Sequence, residues 1–207
     1  MPANDPLRPP TRPALFLDRD GVINEDLGYV HLRKDFNFIE GIFDLVRVAK
    51  DAGMACVVVT NQAGIGRGYY SEQDFQELTD WMLERFREEG AGLDAVYHCP
   101  HHPEHGRGHY KVVCNHRKPG AGMILEAKRA LGLDLERSVL VGDKFSDVAA
   151  ARAAGVGKTF LFSTRKANQR VQSTVVMDSV AENHAETIRF LRQHVRFLGS
   201  RGSDTAI

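Results

Sequence analysis

Leu15-Phe16-Leu17-Asp18-Arg19-Asp20-Gly21-Val22 passes from three apolar residues straight into two acids one residue apart, then a glycine. Buried parallel strands read as unbroken apolar runs, and ionised acids are almost never buried without a partner. The stretch therefore predicts a strand with Asp18 at its C-terminal edge and Asp20 on the turn that follows. Carboxylates this close repel one another unless a cation or a shared proton offsets the charge. Magnesium suits such a pair, because it binds one or two carboxylates together with phosphate oxygens. Standing alone, the stretch reads equally well as a strand end followed by an acidic turn.

Outward from it, apolar runs alternate with amphipathic segments, the pattern of an α/β fold with a mostly parallel sheet. Strands are expected at 14–18, 55–60, 95–98, 138–142 and 158–162. A helix over 42–52 buries Ile42, Leu45, Val46 and Ala49 and stops at Gly53. A second, over 71–89, opens on the capping-box pair Ser71 and Asp74 and carries the stripe Phe75, Leu78, Met82 and Phe86. Others are expected at 121–131 and 146–154. Beyond Ser163, Val175 and Val176 suggest a short strand, and 180–198 a helix with Ile188, Leu191 and Val195 inward. A single domain over 14–198 is expected, between a disordered leader (1–13) and a flexible tail (199–207).

Lys plus Arg equals Asp plus Glu, 27 each, so no global field favours nucleic acid or an anionic membrane. No apolar run approaches the ~20 residues that cross a bilayer. Three cysteines argue against a disulfide framework and for a reducing, cytoplasmic setting.

Ligands of such sheets bind beyond the carboxyl ends of the strands, at a switch point in strand order. Asp18 and Asp20 end the first strand, Thr60 and Asn61 the second, and Asp143 the fourth. One polar strand end means little; three of them suggest a shared site. Taken singly, Thr60 closes a strand, Lys118 is a loop charge, and Asp147 needs no more than the helix dipole to explain it.

The ordered set Asp18-Arg19-Asp20-Gly21, Thr60-Asn61-Gln62, Arg117-Lys118-Pro119 and Gly142-Asp143-Lys144-Phe145-Ser146-Asp147 resembles the haloacid dehalogenase superfamily of phosphotransferases across residues 15–162. The resemblance implies a Rossmann-like three-layer fold with a minimal cap. It makes Asp18 the nucleophile that forms an aspartyl-phosphate, and Asp20 the acid and base. Asp18, the backbone carbonyl of Asp20, and Asp143 would hold Mg2+, while Thr60 and Lys118 stabilise the phosphoryl oxygens.

Between the third strand and Lys118 run Cys99-Pro100-His101-His102-Pro103 and Cys114-Asn115-His116, bounding a loop of about 99–116. Thiolates and imidazoles in two close pairs suit a structural, tetrahedral Zn2+ on Cys99, His101, Cys114 and His116. This loop resembles that of the D-glycero-D-manno-heptose 1,7-bisphosphate 7-phosphatases, with histidinol-phosphatases as close relatives. That branch usually shows Cys-x-His, a loop, then Cys-x-Cys before Arg-Lys-Pro. His116 stands where the branch has its fourth cysteine, and His102, His105 and His109 are the alternative ligands.

The segments after Asp20 and Thr60 also resemble the heptose enzymes. They nominate Asp26, Leu27, Gly28, Tyr29, Asn61, Gln62 and Ala63 for substrate, together with Arg117 and Lys144. Arg117 would meet the second phosphate or the sugar. Gly64 to Gly68 reads as a flexible turn. The resemblance implies a magnesium-dependent sugar bisphosphate phosphatase acting in nucleotide-activated heptose and lipopolysaccharide precursor synthesis. A monomer is expected. Histidinol-phosphate phosphatase is the second expectation. A catalytically dead, zinc-stabilised binding module is the third, and the retention of Asp18, Asp20 and Lys118 weighs against it.

Overall fold

Every side chain of β1 (Ala14–Leu17) is buried, which requires cover on both faces of the sheet. The computed structural model describes residues 11–162 and 178–200. β1 pairs in parallel with β2 (Ala55–Asn61) on one edge and β4 (Val139–Gly142) on the other. Outside these lie β3 (Ala95–Cys99), β5 (Lys158–Phe162) and β6 (Ser179–Ala181), giving a six-stranded sheet ordered β3-β2-β1-β4-β5-β6. All five pairings are parallel. The strand order reverses direction between β1 and β4, the switch point where this architecture binds ligands.

Alternate residues of each strand feed two cores. Leu15, Leu17, Cys56 and Val58 pack under α1 (Ile42–Asp51), α3 (Glu72–Glu88) and α6 (His184–Ser200). Ala14, Phe16, Val57 and Val59 pack under α4 (Gly122–Leu131) and α5 (Phe145–Ala154). The result is the expected three-layer α/β fold. Ser71 caps α3 as its spacing predicts: its Oγ accepts from Asp74 N at 3.0 Å, and Asp74 accepts from Ser71 N at 2.7 Å.

Some expectations fail. Val180 lies in β6 and α6 begins only at His184, so the helix expected from residue 180 starts four residues later and reaches Ser200. Ile188 and Leu191 face the core as expected. Val195 and the strand expected at Val175 and Val176 lie outside the described side chains and residues. The glycine-rich stretch after Gln62 is a short helix, α2 (Ala63–Arg67). Ile65 anchors it in a small cluster with Tyr70 and Phe75, which supplies the burial that a flexible turn lacks. Arg12, placed with the leader, forms a bridge to Leu133 and an ion pair with Asp94 at 3.0 Å. No helix among the described residues is long and apolar enough to cross a membrane.

Candidate active site

At the carboxyl edge of β1, Asp18 is buried, and its Oδ1 accepts from Arg19 N at 2.7 Å. Lys118 reaches it from the segment before α4. Its Nζ lies 2.9 Å from Asp18 Oδ2 and 2.6 Å from Asp147 Oδ1, and donates to Val59 O at 2.8 Å. Burial alone would drive the Lys118 ammonium towards its neutral form, but the charges of Asp147 and Asp18 outweigh it and raise its pKa. Burial also raises Asp18, with Lys118 opposing and Asp147 adding to the rise.

Asp143, at the end of β4, completes the group. Carboxylate oxygens of Asp18, Asp143 and Asp147 lie within 4.8 Å of one another. Burial first, then the charge of Asp18, pushes the Asp143 carboxyl up to about 7. Its Oδ1 is buried without a hydrogen-bond partner among the described residues. A buried, unpartnered carboxylate oxygen beside two further acids is a donor set that fits a hard divalent cation. Gly21 makes room for it. A Cβ there would stand 2.4 Å from Asp143 Oδ2, and its φ of +91° is one that side-chain-bearing residues avoid.

Asp20 sits on the turn. Its carboxylate accepts from Arg19 Nη2 at 2.9 Å, Asn24 Nδ2 at 3.1 Å and Gln62 Nε2 at 3.0 Å. Gln62 is fully engaged, since it also donates to Thr60 Oγ1 at 2.9 Å and accepts from Tyr70 OH at 2.6 Å. Asn61 is engaged too. Its Nδ2 donates to Lys118 O at 3.1 Å and its Oδ1 accepts from Lys118 N at 2.9 Å. The two amides nominated for substrate thus hold Asp20, Thr60 and Lys118 in place.

Asp18, Asp20, Thr60 and Lys118 line one cavity of about 450 Å³ with Asp26, Gly28, Tyr29, Asn61, Gln62, Ala63, Arg117 and Lys144. Leu27 does not join them. Gly28 N folds back onto Asp26 Oδ1 at 3.1 Å, and Leu27 faces out, lining an adjoining cavity with Asp143. Lys144 spans the rim, 3.0 Å from Asp26 Oδ2 and 3.4 Å from Asp143 Oδ2. Burial pushes the Asp26 carboxyl up, yet the hydrogen bond and charge of Lys144 leave it below the usual range.

The cavity also contains residues not nominated for substrate or catalysis: Arg67, Tyr70, His102, Ser146 and Asp147. Of these, the sequence offers His102 only as an alternative zinc ligand and Asp147 only as a charge that the helix dipole explains. Arg67 lies over the Tyr29 ring at 5.8 Å, and its Nε is buried without a hydrogen-bond partner among the described residues. Arg117 donates to His101 O at 3.2 Å. Neither guanidinium has a carboxylate partner among the described residues. Arg67 was recognisable only through Ile65, whose burial makes α2 a helix and turns Arg67 into the cavity.

In the loop after β3, one donor atom each from Cys99, His101 and Cys114 falls within 4.8 Å of the others. His116, expected as the fourth ligand, lies outside this group, though its Nδ1 is 3.9 Å from Cys114 Sγ. The alternative ligands His102, His105 and His109 are not in it. His102 Nδ1 instead accepts from Glu104 N and His105 N, which closes its own turn.

The family of haloacid dehalogenase-like hydrolases matches residues 115–183. D-glycero-alpha-D-manno-heptose-1,7-bisphosphate 7-phosphatase of Burkholderia mallei is 55% identical, covering 86% of this chain and 93% of that protein. The beta-anomer enzyme of Vibrio cholerae is 49% identical, covering 83% and 94%. Among solved structures, a putative phosphatase of this type from Mesorhizobium loti gives a TM-score of 0.80 at 36% identity, covering 92% of this chain and 88% of that one. The D,D-heptose 1.7-bisphosphate phosphatase of B. bronchiseptica, complexed with magnesium and phosphate, gives 0.73 at 28% identity, covering 87% and 98%. With that likeness and a strand-end carboxylate site, the chain is a phosphoric monoester hydrolase of the haloacid dehalogenase-like phosphatases and belongs to the heptose 1,7-bisphosphate 7-phosphatase family.

Proposed function

We propose that this chain removes the 7-phosphate of D-glycero-D-manno-heptose 1,7-bisphosphate within one catalytic domain, residues 14–198. The carrying observation is a single cavity with a carboxylate–lysine cluster at one end and, on its wall, two guanidiniums, Arg67 and Arg117, that have no carboxylate partner among the described residues. A substrate bearing an anionic group at each end matches that distribution of charge. An Asp18 oxygen attacks phosphorus, and the bond from phosphorus to the sugar oxygen breaks. Asp20 gives the departing oxygen a proton, forming the sugar alcohol and an aspartyl-phosphate. Asp20 then takes a proton from water, whose oxygen displaces Asp18 and releases inorganic phosphate.

Thr60 and Lys118 donate to the phosphoryl oxygens, and Asp147 holds Lys118 in position. Asp18, Asp143 and the backbone carbonyl of Asp20 would hold magnesium. When bound, it supplies positive charge that cancels the repulsion between nucleophile and phosphoryl oxygens. Arg117, Arg67, Tyr29 and Lys144 take the rest of the substrate, a phosphorylated sugar. Turnover of both heptose bisphosphate anomers and of histidinol phosphate, with and without magnesium, tests the reading. Faster turnover of histidinol phosphate, or hydrolysis indifferent to chelation, overturns it.

The loop is proposed to hold a structural zinc on Cys99, His101, Cys114 and His116, which supports Arg117 through the His101 carbonyl. Cys114→Ser should shed zinc and lower the thermal midpoint by about 5–10 °C, the equivalent of a few kcal/mol in a chain of this size. Full zinc occupancy in that variant would remove Cys114 from the ligand set.

A further inference from the structure

We propose that His116 ligates the loop metal through Nδ1, and that Glu126 on α4 is the carboxylate that orients it. The inference rests on the zinc reading above and concerns the residue that departs from the usual fourth cysteine. His116 Nε2 lies 2.9 Å from Glu126 Oε2. A carboxylate facing Nε2 accepts its N–H, which leaves Nδ1 as the ring nitrogen that can meet a metal. That Nδ1 is the atom facing Cys114 Sγ, at 3.9 Å. Across the loop the arrangement repeats, with His101 Nδ1 3.6 Å from Cys99 Sγ. A thiolate brings its own charge to a metal. An imidazole gains basicity and a fixed ring plane from a carboxylate behind it.

The backbone makes the pairing more than a chance meeting of two surface side chains. Gly122 N donates to Asn115 O at 2.9 Å. A Cβ on Gly122 would lie 2.9 Å from His116 N, so the first turn of α4 presses directly on residues 115–116. Glu126 follows Gly122 by four residues and occupies the same helix face. The pressed turn therefore presents its carboxylate to the ring that this contact positions. The competing account is an ordinary half-exposed ion pair, with side chains 43% and 47% exposed. Such a pair contributes little and has no connection to metal.

Zinc affinity of the full-length chain, measured by competition with a chromophoric chelator, separates the two, with the cobalt(II) absorption spectrum as a second readout. Glu126→Ala keeps a strong helix former in α4 and should weaken zinc binding about 10–100-fold. Glu126→Gln, whose amide oxygen still accepts from Nε2, should lose less. His116→Cys should hold zinc and strengthen the sulfur-to-cobalt charge-transfer band. In that background Glu126→Ala should change nothing. Equal zinc affinity in the parent and Glu126→Ala, or an equal loss in both backgrounds, overturns the assignment. A parent chain that takes up no zinc overturns the zinc reading itself and this inference with it.

Discussion

Lys118 holds the charge balance of the site, for its ammonium meets two of the three clustered carboxylates and leaves an excess of negative charge for a divalent cation to neutralise. Asp18→Asn keeps the side-chain shape, removes the proposed attacking oxygen and relieves part of that repulsion. Turnover should fall about 10⁴-fold or more, as for other removed nucleophiles, while the thermal midpoint holds. Turnover near that of the parent would exclude covalent catalysis by Asp18. Asp143, pushed up to about 7, gives a pH signature. Its raised carboxyl holds a proton below that value, and a cation must displace it. Magnesium affinity should therefore be about tenfold weaker at pH 6 than at pH 8, and calorimetric titration at the two values measures it. Asp143→Asn should flatten the dependence. Asp147 shows why single residues mislead. Its place in the first turn of α5 accounts for an acid locally, and Lys144 N does donate to its Oδ2 at 2.9 Å. The same carboxylate also pairs with Lys118, a residue distant in sequence, and no local pattern encodes that contact.

Between elements, Asn61 is the joint that ties the end of β2 to the segment carrying Lys118, because both its amide atoms bond the Lys118 backbone. Asn61→Ala leaves a partly buried N–H and C=O unpaired, costing about 1–3 kcal/mol of stability. It also loosens Lys118 against the phosphoryl position. A kcat lowered by about tenfold or more is expected, since small misplacements near the chemistry are costly; steady-state kinetics and thermal melts check both parts. An unaltered kcat would mean that Lys118 is held in register by its ion pairs alone. The principal strands were readable almost to the residue, because Leu15 to Leu17 and Val57 to Val59 are apolar on both faces and end abruptly in polar residues. α1 and α3 were readable from their stripes and caps. α2 was not, because Ala-Gly-Ile-Gly-Arg carries no helical stripe and is stabilised by Tyr70 and Phe75 from outside itself. The same holds for the commitment of Asn61 and Gln62. Their residue types announce hydrogen bonding, but their partners are set by how the strands line up.

Across the whole molecule, His184 connects the last helix to the turn after β1. It is fully buried, its ring stacks on Phe162 at 4.4 Å, and its Nε2 donates to Val22 O at 2.8 Å. Its Nδ1 is buried without a hydrogen-bond partner among the described residues, and burial holds the imidazole down to about 4. An unfolded chain takes up that proton near pH ~6.5, the native chain only near 4, so stability falls as pH drops through this window. The loss attributable to His184 should approach about 3 kcal/mol below the window. Denaturant melts at pH 7 and pH 4.5 read it, and in His184→Gln the slope should be shallower. An identical slope would assign the acid sensitivity to other groups. The central position of β1 has a consequence during synthesis. One edge of the strand meets residues 55–58 and the other meets residues 139–141. A chain leaving the ribosome can satisfy the first edge once residues 55–58 are out, but the second stays open until residues 139–141 have followed. The segment bearing the proposed nucleophile thus emerges well before its second neighbouring strand, so chaperone binding to nascent chains should persist until residue 142 has cleared the exit tunnel.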